Sequence, residues 1–150
     1  EWERIRTGAD QVDSATAPAA ALEPDRTDVT ANRRAFAVMV RNEAFRWVHL
    51  LARRAYDELA EVPGAEGRRI RPSWLEDEME PYWAEYGHIS IDADARSSAN
   101  FSWDRETGLV TQVLVDPSGH REWRVEGLVD FEASAREGSA VIGLEGIRRL

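Results

Sequence analysis

Two residue types are missing from this 150-residue chain, cysteine and lysine. Without Cys there is no thiolate nucleophile, no disulfide, no iron–sulfur ligation and no zinc site of the Cys type. Without Lys there is no Walker-type phosphate loop, no Schiff-base chemistry and no Ser–Lys hydrolase within these residues. All 19 basic residues are therefore Arg, a bias that suggests a GC-rich genome. No apolar run nears the roughly 18 residues that cross a bilayer. The opening EWERIRTGAD has neither an initiator Met nor the apolar centre of a secretory signal. A start without Met suggests a chain cut from a longer one, and the expected location is cytoplasmic, with no membrane partner. Histidine is scarce: His49, His88 and His120 show no H-x-H or H-x-x-x-H spacing, so no metal site is expected. Neither G-x-S-x-G nor G-x-G-x-x-G occurs. Asp92-Ala93-Asp94 opens like a calcium loop, but Arg96 and Ser97 stand where that loop needs an oxygen ligand and Gly.

What is present can build a core. Hydrophobic residues make up 43% of the chain and six are Trp, so at this length folding buries about two-thirds of the unfolded surface. The chain is acidic, with 28 acids, 19 Arg and a net charge of −9, and the charge is uneven. Residues 31–71 carry nine Arg against five acids, whereas 72–97 carry seven acids and one Arg. A basic zone thus lies between acidic ones.

Residues 1–29, rich in Ala, Asp, Thr and Pro after the first turn, read as a flexible linker. Trp2 and Ile5 could close a preceding helix. Residues 30–150 read as one α+β domain. Thr30 or Asn32 can cap a helix whose stripe is Phe36, Met39, Val40, Trp47, Leu50 and Leu51. A bend near Ala52–Ala55 and a second short helix should follow, ended by Pro63 and Gly64. Ser73 and Glu76 form S-x-x-E, which predicts a capping box. The helix after it should hold acids in its first turns, be kinked or divided at Pro81 and stop at Gly87. From His88 the period changes from 3.6 to 2, and ISI, ANFSW, LVTQVLV, EWRVEGLVDFEA and SAVIGLEGI read as strands. Asp116–Gly119, Asp104–Gly108 and Ser134–Gly138 read as their connections. Trp123, Val125, Val129 and Phe131 should face the helices, with a bulge at Gly127. The architecture is N-terminal helices packed on a curved antiparallel meander sheet.

Four residues are candidates for a pocket. Glu43 lies among Met39 and Trp47, where a carboxyl could become an acid or base, although a pairing with Arg accounts for it as well. His88 begins the strand region and could line a pocket mouth with Tyr82 and Tyr86; a capping or surface role is the alternative. For phosphate contact the best group is the loop Arg68, Arg69 and Arg71. Trp47, Trp83 and Trp123 fit core positions, while Trp74 and Trp103 should be partly exposed.

Three stretches resemble one family. VTANRRAFAVMVRNEAFRWVHLLARRAYDELAE, YWAEYGHISIDADARS and VLVDPSGHREWRVEGLVDFEASAREGSAVIGLEGI resemble the C-terminal domain of unknown function of actinobacterial DEAD/DEAH-box helicases, over about residues 29 to 150. Where the family pattern has D-P-A-G-D-H-D-W, this chain has Asp116-Pro117-Ser118-Gly119-His120-Arg121-Glu122-Trp123; the residue before Trp is still acidic. The resemblance implies an ATP-dependent RNA or DNA helicase as the parent protein. ATP and Mg belong to that parent, no cofactor belongs to these residues, and no catalytic residue carries over. The order of elements also looks like the cone of nuclear transport factor two and of polyketide-cyclase-like enzymes, an analogy of fold alone. The expectation is a non-catalytic accessory domain that docks on the helicase core, on a partner or on nucleic acid. The alternative is a small-molecule cone enzyme or binder using Glu43 and His88.

Overall fold

Asn32 starts the first long helix, its Oδ1 accepting from the Ala35 N–H at 3.0 Å. The structure is a computed structural model that describes residues 29–150; the expected linker up to residue 28, with Trp2 and Ile5, lies outside the described residues. After a short 3-10 turn, Val29–Ala31, helix α1 runs Arg33–Ala52. It buries Phe36, Val40, Trp47, Leu50 and Leu51 as the period predicts, and also Ala44, Phe45 and Val48, while Met39 is half-buried. The wider buried face means that α1 is wrapped on more than one side. The chain bends at Arg53 and Arg54, the latter at φ 57°, before the one-turn helix α2, Tyr56–Leu59.

Helix α3 spans Pro72–Glu85 and departs from expectation at both of its ends. No side chain caps it: Arg71 is the N-cap and Pro72 the first helical residue, so Ser73 already lies inside and cannot close a box with Glu76. The acids accordingly begin beyond the first turn, which contains none. Pro81 stays within an undivided helix. At its end Tyr86 is extended (φ −128°, ψ 150°), and Gly87 has no positive φ; the helix is stopped by an extended residue rather than by a left-handed glycine.

The sheet has four antiparallel strands in the order β1 (Phe101–Trp103), β2 (Leu109–Leu114), β3 (Trp123–Val129), β4 (Ile142–Arg149). It is a meander, open rather than closed into a barrel. The register shifts between Glu126 and Gly127, which pair with Gly146 and Leu144; the predicted irregularity is at Gly127, but the extra residue, Glu145, belongs to the partner strand β4. A Cβ on Gly127 would meet Trp47 Cη2 and Ile142 Cγ2 at 2.8 Å; helix and sheet touch where this residue has no side chain. Residues 89–91 are not a strand: Ser90 N–H reaches the Val115 carbonyl, at 2.8 Å, as a single link outside the meander.

The segment after β3 is the larger correction. The expected strand end and Ser134–Gly138 turn are instead helix α4, Phe131–Glu137. Asp130 caps it through the Ala133 N–H, 2.9 Å, and Gly138 closes it at φ 74°. Phe131 is 38% exposed and sits at the edge of the core rather than within it as Trp123, Val125 and Val129 do, its ring against Phe36 of α1 and stacked on Trp103, with centroids 6.1 and 6.2 Å apart. One cluster of buried residues joins α1, α3 and the sheet. No described helix is long and apolar enough to cross a membrane.

Candidate functional site

Glu43, the candidate acid or base on α1, is bound by its own helix. Its carboxylate accepts from Arg46 Nε and Nη2, at 3.0 and 2.8 Å, and from Trp47 Nε1 at 3.0 Å. The bond from Glu43 holds the Arg46 guanidinium above its ordinary pKa, against the opposing effect of burial. Glu43 and Arg46 stand at the rim of a groove of about 440 Å³ with Glu58, Glu61, Val62 and Glu137. Neither His88 nor Tyr82 nor Tyr86 lines it.

The other three candidates gather at the end of α3. Tyr82 is fully buried and donates to the His88 carbonyl at 2.7 Å. Burial, then the nearby Asp116 charge, push its hydroxyl well above the ordinary tyrosine range. Tyr86 Oη meets His120 Nδ1 at 2.8 Å, and burial followed by Asp116 raises it too. His88 itself is exposed; its backbone, not its imidazole, takes part.

Asp116, which the sequence suggests only as a turn residue, anchors this group. Its side chain accepts from Arg121 N at 2.7 Å and His120 N at 3.0 Å, and its carbonyl from Gly119 N at 3.0 Å. Burial works to raise its carboxyl; the backbone N–H groups outweigh it and hold the pKa below the ordinary value. Arg121, at φ 57°, continues the network to Asn100 Oδ1 and Asp94 Oδ2, at 3.1 and 3.0 Å. The signal for this network was the D-P-S-G turn itself, whose first Asp can bond its own backbone downstream.

The three arginines of the phosphate-contact loop are brought together. The loop is pinned to the edge of β4: Leu144 N–H donates to the Pro63 carbonyl at 2.8 Å. Gly64 lies so near that a Cβ there would be 1.9 Å from the Arg68 carbonyl oxygen. Arg68 Nη2 donates to the Leu144 and Glu145 carbonyls and its guanidinium lies 5.1 Å from the Trp74 ring centroid. Arg68 is thus a structural clamp. Arg69 and Arg71 are exposed, and neither has a partner among the described residues. Together with Arg68, Ser73, the half-buried Trp74 and Asp77 they line a depression of about 350 Å³.

Trp47 and Trp123 are buried and Trp74 and Trp103 half-buried, as expected; Trp83 is half-buried, its Nε1 donating to Tyr56 Oη at 2.8 Å. Among the described residues, no group of three His, Asp or Glu is placed to hold a metal ion. A family model, described as a domain of unknown function (DUF3516), matches residues 1–147. No curated protein and no solved structure matches the chain.

Proposed function

The chain belongs to the DUF3516 family of domains of unknown function, and from that membership we propose that it is a non-catalytic accessory domain of a larger protein. In this reading the parent is a cytoplasmic ATP-dependent DEAD/DEAH-box helicase, the family that the stretches 29–61, 82–97 and 113–147 resemble. The domain docks on the helicase core or on the strand that the core handles, and ATP and Mg are held by the parent. One observation carries the proposal: the groups suited to chemistry are bound into the fold, while free charge remains on a surface loop. Glu43 is held by Arg46 and Trp47, Tyr82 by a carbonyl, Tyr86 by His120 and Asp116 by backbone N–H groups. Arg69 and Arg71 stay open to a partner. Such an arrangement favours recognition over reaction. The small-molecule alternative needs Glu43 and His88 to converge on one hollow, and their surroundings are different ones.

Deleting residues 29–150 from the parent and measuring ATP hydrolysis, unwinding and partner recruitment tests the reading. Altered unwinding or recruitment with intact ATP hydrolysis is expected. Unchanged behaviour of the truncated protein in both assays would overturn it.

A further inference from the structure

The depression beside Trp74 carries a sharper statement about what this domain recognises. It rests on the accessory-domain reading and names the partner of the same surface. Arg68 and Arg71 have extended backbone, and Ile70 between Arg69 and Arg71 is buried at 5% exposure. The alternation turns Arg69 and Arg71 together toward solvent, their Cα atoms about 7 Å apart. That is close to the spacing of successive phosphates on an extended single strand. Both guanidiniums lack a protein partner among the described residues and can each grip a phosphate in a bidentate fashion.

The rest of the depression differs in chemistry from its basic side. Trp74 supplies a half-buried indole, steadied by the Arg68 guanidinium, on which a base can stack. Asp77, one turn into α3, lines the same space and has no partner among the described residues. A carboxylate there repels phosphate but accepts from the exocyclic amine of cytosine, adenine or guanine. Thymine and uracil have no such amine. We propose that the depression formed by Arg69, Arg71, Trp74 and Asp77 binds single-stranded nucleic acid, with phosphates on the two arginines and one base between Trp74 and Asp77. Bases that carry an amino group are preferred. Two guanidiniums make a small footprint, so affinity is modest and adds to a grip made elsewhere in the parent.

The test uses the full 150-residue chain and labelled oligo(dC) and oligo(dT), with their RNA counterparts, over a series of salt concentrations. With two phosphate contacts, log K should fall against log salt with a slope of about −1.4. Oligo(dC) should bind several-fold more tightly than oligo(dT). The R69E/R71E double variant should lose about tenfold or more of the affinity while keeping the wild-type circular dichroism and melting curve, since both side chains are exposed. D77N should reduce the preference for oligo(dC). Undetectable binding, a slope near zero, unchanged affinity in R69E/R71E, or tighter binding of a poly-glutamate peptide than of oligo(dC) would each overturn the proposal. None of these results would touch the deletion test above, which reads the parent's unwinding and recruitment.

Discussion

Asp116 shows how much one side chain can hold. Removing its buried carboxylate leaves the partly buried His120 and Arg121 N–H groups without their acceptor, so Asp116→Ala should cost about 1–2 kcal/mol in urea unfolding. Asp116→Asn, which keeps one carbonyl oxygen, should cost less. The folded carboxyl ionises below the ordinary value near 3.9, so in acid the unfolded chain binds more protons. The stability it contributes is complete above about pH 5 and is lost as pH falls through the folded pKa, below about 4. Melting temperatures from pH 6 to pH 3 should therefore fall more steeply for the wild type than for Asp116→Asn. Gly127 is the second such residue. Its missing Cβ leaves room for Trp47 and Ile142, and Gly127→Ala should destabilise by about 1–3 kcal/mol through overpacking. The sequence indicates both positions, as turn and bulge, but says nothing of the carboxyl's acceptors or of the indole that fills the gap. Glu43 is legible in part: the period places it on the stripe and an Arg pairing accounts for it, but only the structure identifies Arg46 and the Trp47 indole as the partners.

The elements separate into those whose ends are written locally and those decided by neighbours. Asn32 is a local cap, and Asn32→Ala should lower stability by about 1 kcal/mol, read from denaturant midpoints. In α3 the local rule gave the wrong cap, because Pro72 presets the first helical turn one residue before Ser73 and needs no N–H partner. Pro81 lies inside α3 without dividing it; Leu75 and Met79 before it and Tyr82 after it are all buried, so both parts of the helix are anchored in the core. Pro81→Ala restores a backbone donor at an exposed position and should raise stability by about 1 kcal/mol. Helix α4 is hidden in the sequence because the apolar alternation of β3 continues in the residue pattern as far as Phe131, beyond the end of the strand at Val129. Asp130 and Gly138, eight residues apart around a stretch rich in Ala, Glu and Arg, were the cap signals that could have located it.

At the scale of the molecule, helices on one side and a meander on the other make a single buried cluster, and the open chemistry is confined to the surface. The isolated chain should not hydrolyse ATP, with Mg and either RNA or DNA present; measured turnover above a protein-free blank would contradict the accessory role. The sequence by itself determined the class, α+β with a bend after α1, the turns at Asp104–Gly108 and Asp116–Gly119 and the basic loop, because periodicity, caps and turn residues act over a few neighbours. It also set the limits on chemistry, since absent side chains cannot be supplied by folding. Only the tertiary structure decided which charges are free. Arg68 is bound to carbonyls of β4, and Arg69 and Arg71, its neighbours in sequence, are not. That difference depends on how the loop is pinned against a strand some seventy residues away, a contact that no local pattern encodes.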